Sequence, residues 1–236
     1  MGIHDGHRER MRNSFRKDGL AGFNAISALE LLLSYAIPRR DTNPVAHALL
    51  ERFGSLQEVF DASEEELCEV EGVGTSAAVL IRLIPQIMRK SAVDRASEKR
   101  YIMNTRDARD FLAPYFLYER NELALLLCLD SQRRVIKCLE LSRGVVNSVS
   151  IDVRRVLELA LKHKASGVIL AHNHPDGPAK NSREDDMVTR HVYQALKAVG
   201  ILLIDHLIVA GDEYISYQDS GALKLCEYDY GLPYVN

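Results

Sequence analysis

His172, His174, Ser182 and Asp185 are the residues whose types and spacing could do chemistry. The stretch from 172 to 185 reads HNHPDGPAKNSRED, a pattern of H-x-H, seven residues, S, two residues, D. Two imidazoles and one carboxylate are ligands that Zn²⁺ accepts, and three protein ligands leave a fourth tetrahedral position open for water, as in catalytic zinc sites. The sequence therefore predicts one zinc ion per chain, held by His172, His174 and Asp185. Ser182 and Asp185 also read as a helix start, with a hydroxyl at the N-cap and an acid three residues on. The two readings coexist, because a cap fixes where Asp185 points.

The surrounding elements must position these groups. Residues 165–171 (ASGVILA) form a short apolar run that predicts a buried strand, and the histidines follow at its end. Pro175, Gly177 and Pro178 force a loop, and Ser182 opens an amphipathic helix that reaches Val199. A further strand is expected over 201–210. Upstream, residues 107–116 predict a helix. Residues 122–129 (ELALLLCL) and 134–141 predict a strand pair joined by a turn, and 152–164 an amphipathic helix. A hairpin beside mixed strands and helices indicates an α+β fold with a mixed sheet rather than a strict βαβ repeat.

The motif resembles the JAMM motif of MPN-domain metalloproteases, and HNHPDG in its context is similar to the RadC family. The similarity covers roughly Thr105–Gly221, including Gly167-Val168-Ile169-Leu170 before the motif, Asp205-His206-Leu207-Ile208-Val209 after it, and Tyr214-Ile215-Ser216 and Gly221 at its end. RadC sequences commonly read HPSG after the histidines, where this chain has Asp176. The resemblance implies an MPN/JAMM-like sheet domain with a cytidine-deaminase-like layout, metal-assisted hydrolysis of a peptide or isopeptide substrate, and an association of the family with DNA repair. Hydrolysis needs a base to take a proton from water and return it to the leaving amine. The resemblance puts a glutamate at the start of the first core strand, which Glu122 fits. Glu140, at the end of the partner strand, competes for the role, and Glu119 is a third candidate. Ser182 could donate to the oxyanion. Asp205 and His206 lie within an apolar strand and need hydrogen-bonding partners, either to a ligand or within the sheet.

Residues 1–90 read as a separate helical domain, 91–102 as a polar linker and 103–236 as the domain of the motif. Helices are expected over 27–36, 45–53, 55–62 and 75–90, with Ser63 and three following acids opening another. Residues 67–81 (LCEVEGVGTSAAVLI) look like a helix-hairpin-helix, whose Gly72-Val73-Gly74 turn would let a phosphate approach backbone N–H groups. The charge is unhelpful to that role. Residues 1–100 hold 14 Lys and Arg against 15 Asp and Glu, the remainder 16 against 18, and the whole chain carries −3. Any DNA contact is therefore expected to be weak, sequence-independent and sensitive to salt. Two other readings stay open: a nucleic-acid-processing enzyme, and a DNA-binding or scaffold protein whose zinc is structural. No apolar run approaches the ~18 residues of a membrane span, and the charged start lacks a signal-like apolar region. Four widely spaced cysteines form no C-x-x-C pair, which fits a reducing cytoplasmic setting.

Overall fold

The computed structural model describes residues 3–38, 40–144 and 151–226, and the chain divides into two compact units, Met1–Lys90 and Ser91–Asn236. The first unit is helical. Helices α1 (Ile3–Asp18), α2 (Ala25–Ala36), α3 (Asn43–Phe53), α4 (Leu56–Asp61), α5 (Glu64–Cys68) and α6 (Thr75–Ala96) follow in order. Local chemistry sets their starts. Asn24 accepts the N–H of Ser27 at 2.8 Å, Ser55 caps α4, and Ser63 with Glu66 closes a reciprocal capping box on α5. Leu29, Leu33, Leu49, Val59, Leu67 and Ile81 meet in its core.

The polar segment expected as a linker begins as helix, because α6 runs on to Ala96. Ser91, Ala92, Val93, Asp94, Arg95 and Ala96 contain no glycine or proline, and polarity alone does not stop a helix with a solvated face. The chain then turns, and residues 100–102 join the sheet unit. Val135 donates to the Arg100 carbonyl at 2.8 Å and Ile102 to that of Arg133 at 3.0 Å.

The second unit is built on a five-stranded sheet: β1 (Leu123–Leu129), β2 (Val135–Arg143), β3 (Gly167–Asn173), β4 (Leu202–Ala210) and β5 (Glu213–Ser216), in the order β2-β1-β3-β4-β5. Only β3 and β4 are parallel; the other pairings are antiparallel. This is the expected α+β arrangement. Helix α7 (Thr105–Phe116) covers one face, packing Phe111, Leu112 and Phe116 on Leu125, Leu127, Ile169 and Leu207. Helices α8 (Val153–Lys162) and α9 (Arg183–Ala198) cover the other, packing Val156, Ala160, Val192 and Leu196 on Leu126, Val168 and Leu170. Both faces are covered, so β1 and β3 are buried along their whole length. Among the described residues no helix is long and apolar enough to cross a membrane.

The two hairpin glycines have different burdens. Gly72 has φ +91°, and a Cβ there would come within 2.8 Å of Val45 Cγ2, whereas a Cβ on Gly74 would meet nothing within 4 Å. Gly72→Ala should therefore lower the stability of the helical unit by about 1–3 kcal/mol through backbone strain and overpacking, with Gly74→Ala close to neutral. Thermal or denaturant unfolding of the full chain reads the difference, and equal effects at the two positions would contradict it.

Candidate metal centre

β3 runs parallel to β4, with α9 as the connection between them, so the carboxyl end of β3 faces the amino end of α9. Ligand sites form at such ends in α/β units because one strand delivers side chains and the next helix offers its positive terminus. His172 is the penultimate residue of β3, and His174 follows the strand, its N–H donating to the Val209 carbonyl at 2.8 Å. Asp185 stands at the third position of α9, where Ser182 is the N-cap. The Ser182 hydroxyl accepts the Asp185 N–H at 3.0 Å and donates to Asp185 Oδ2 at 2.6 Å, while the Ser182 N–H donates to Oδ2 at 2.8 Å. The cap thus aims the carboxylate.

The three groups meet. His172 Nε2 lies 3.1 Å from His174 Nε2 and 3.0 Å from Asp185 Oδ1, and His174 Nε2 lies 3.8 Å from Asp185 Oδ2. His174 Nδ1 is 3.3 Å from the Pro178 carbonyl, which can only accept, so that nitrogen carries the proton and Nε2 presents its lone pair. His172 is almost wholly buried, while the His174 side chain keeps 20% of its surface, so the cluster opens on the His174 side. Burial pushes the Asp185 carboxyl up, but hydrogen bonds and charge from His172 and the bonds from Ser182 outweigh it and hold the carboxyl below its ordinary range. Within the described residues this His-His-Asp cluster is one that could hold a metal ion.

The remaining predicted residues fall on two sides of the sheet. Ala124 pairs with His172 at the end of the β1–β3 ladder, and Glu122 lies two residues before Ala124, just ahead of β1. The Glu122 carbonyl accepts the Gly144 N–H at 3.0 Å, and the next N–H, of Leu123, donates to Asn173 Oδ1 at 2.7 Å. Asn173 points away from the histidines and pins the start of β1 in this way. Glu140 instead pairs with Leu125, on the α7 face, and binds Arg143 at 2.9 Å. Glu119 is also bound to Arg143.

Sequence reasoning left Asp205 and His206 undecided, and the structure separates them. Asp205 is turned to the β5 side, accepting from Ser216 Oγ at 2.6 Å and the Gln218 N–H at 2.9 Å. Burial raises its pKa and those donors oppose the rise. His206 is fully buried on the site face, its Nε2 2.9 Å from His172 Nδ1 and its Nδ1 2.6 Å from Thr189 Oγ1. Burial, followed by the neighbouring His172, pushes its pKa well below the ordinary imidazole value. Thr189 was not identified from the sequence. It sits four residues after Asp185, one helical turn on, and its role comes from a contact with β4.

Residues 102–222 match the family model of the RadC-like JAB domain. The chain belongs to the RadC family. Relatives extend the likeness to nearly the whole chain. A UPF0758 protein of Fusobacterium nucleatum subsp. nucleatum is 34% identical over 225 residues, covering 92% of this chain and 97% of the relative. A UPF0758 protein of Saccharophagus degradans is 30% identical over 213 residues, covering 90% of this chain and 95% of that one. The match to the JAB domain includes Glu122, both histidines, Ser182 and Asp185, so every group at the RadC cluster lies inside it.

Replacing His172, His174 or Asp185 singly with Ala should weaken metal binding beyond the ~10–100-fold that loss of an outer hydrogen-bonding partner typically costs. Elemental analysis and chelator competition on the full chain measure it. Unchanged stoichiometry and affinity in all three variants would reject the cluster as a metal site.

Proposed function

We propose that this RadC family protein is a zinc-dependent hydrolase that cleaves amide bonds in a peptide or isopeptide substrate. The observation that carries the proposal is spacing. Ligand atoms about 2.0–2.1 Å from a tetrahedral zinc ion lie about 3.3 Å apart, and His172 Nε2 stands 3.1 and 3.0 Å from its two neighbours in the cluster. The donor set, two imidazoles and one carboxylate, is of the catalytic rather than the structural kind, since a structural zinc is closed by four protein ligands. The JAB-type domain supports the same reading. When bound, zinc supplies a Lewis acid that polarises a carbonyl and lowers the pKa of water towards ~7.

The chain's own residues do the rest. Glu122, two residues before the Ala124 that pairs with His172, is the base. It takes a proton from the attacking water as the C–O bond forms, and returns it to the amine nitrogen as the C–N bond breaks. Ser182 donates to the oxyanion, for which its hydroxyl must turn from Asp185 Oδ2. The backbone N–H of Ser182 keeps Asp185 in place during that turn. The covered faces of the sheet exclude water from the His172 side, leaving approach along His174.

Glu122→Gln should keep fold and zinc but lower turnover by about 10²–10⁴-fold, because an amide cannot accept the proton. Glu140→Gln should leave turnover near that of the unsubstituted chain, since Glu140 is on the opposite face with Arg143. The assay incubates zinc-loaded full chain with a peptide library and a lysine isopeptide, and scores new amino groups by mass spectrometry. Cleavage that survives Glu122→Gln and disappears in Glu140→Gln would reverse the assignment.

A further inference from the structure

The lone pair that His172 offers to the cluster depends on where its proton sits, and a chain of buried groups decides that. The chain starts in α9. Thr189 is fully buried, and its hydroxyl donates to the carbonyl of Asp185, one helical turn back. A carbonyl has no proton to give, so two oxygens in such contact require the single threonine proton to lie between them. Thr189 Oγ1 is then left with lone pairs alone towards His206. At 2.6 Å from that oxygen, His206 Nδ1 must carry the proton and donate it. His206 Nε2 is therefore an acceptor, and at 2.9 Å it takes the proton on His172 Nδ1. His172 Nε2 is then the ring nitrogen left to face the cluster, 3.0 Å from Asp185 Oδ1 and 3.1 Å from His174 Nε2.

We infer that Thr189 and His206 are positioning residues that hold His172 as its Nδ1–H tautomer and aim its Nε2 lone pair into the ligand cluster. The inference rests on the metal reading above. Reversing every bond in the chain would leave Thr189 Oγ1 and the Asp185 carbonyl in contact with no proton between them. It would also put a proton on His172 Nε2, where a metal must bind. The ring of His206 has little room to turn over, because it stacks on Tyr217 at 5.0 Å and 21°. Tyr217 in turn donates to Asp186 at 2.8 Å. Asp185, Asp186 and Thr189 all belong to α9, so the helix that supplies one ligand also orients another.

Two measurements on the full chain test this. The first is the nitrogen-15 imidazole spectrum of the metal-free full chain, which reports which ring nitrogens carry protons. His172 and His206 should both carry the proton on Nδ1. A His172 Nδ1 that carries no proton overturns the inference, and this readout needs no variant to fold. The second is zinc affinity by chelator competition. Thr189→Val removes the hydroxyl at nearly constant volume and should weaken zinc about 10–100-fold, with a share of His172 moving to the Nε2–H form. Thr189→Ser should restore both. A folded Thr189→Val variant that binds zinc as tightly as the original chain also overturns the inference. Should the unsubstituted chain take up no zinc, the metal reading fails, and the imidazole spectrum still decides the tautomer.

Discussion

Three acceptors held in contact, two imidazole lone pairs and a carboxylate, set the constraint on which the sheet unit is organised. Such atoms repel one another unless a proton or a cation lies between them, and burial strengthens the repulsion by thinning the solvent around them. The sheet supplies the rigidity that this needs. β3 is buried on both faces and flanked by β1 and β4, so His172 cannot back away without breaking a packed core. Asp185 cannot swing out without losing its bonds to Ser182 and the charge complement of the α9 terminus. His174 is held by its own N–H to Val209 and by Pro178. Each group is fixed by a different element, and the cluster exists only where those elements meet.

The meeting of His172, His174 and Asp185 was legible in the sequence because its patterns are local. H-x-H at the end of an apolar run and S-x-x-D at a helix start are short patterns whose geometry follows from the periods of strand and helix. Glu122 needed more. Its choice over Glu140 depends on the register of β1 with β3, and on the shift between Ala124 and Leu125 in the β1–β2 pairing that sends Glu140 to the other face. The pairing of His206 and Thr189 was not readable, since it joins β4 to α9 across seventeen residues through a non-local contact. The segment expected as a linker is helical at its start, where α6 runs on to Ala96. Its polar composition marks solvent exposure, which an outer helical turn and a loop share.

The helical unit shows the same logic, with no metal-holding cluster among its described residues. Glu30 is almost wholly buried in α2, yet it is not an orphan. It accepts from Asn43 at 2.8 Å and meets His7 Nε2 at 2.9 Å, linking α1, α2 and the start of α3. A buried carboxylate held in this way fixes the mutual orientation of three helices, because moving any one leaves a buried polar group unsatisfied. The same unit explains the Gly72 turn through Val45, a packing partner, before any ligand is invoked.

The two histidines of the cluster are held by unlike means, and the difference separates what the site must keep from what it can vary. His172 is inside the core, with Thr189 and His206 behind it. His174 is held by a carbonyl in the loop that follows it, and keeps contact with solvent. Asp176 is exposed in that loop and is not among the three clustered groups. Variation there changes the rim of the opening and leaves the lone pairs where they are. Variation at Thr189, although it touches no ligand atom of the cluster and is farther from solvent, would act on the direction of a lone pair. Distance from the opening is therefore a poor guide to importance in this domain. The better guide is the direction of each hydrogen bond, followed back from the cluster to the carbonyl of α9 at which it ends.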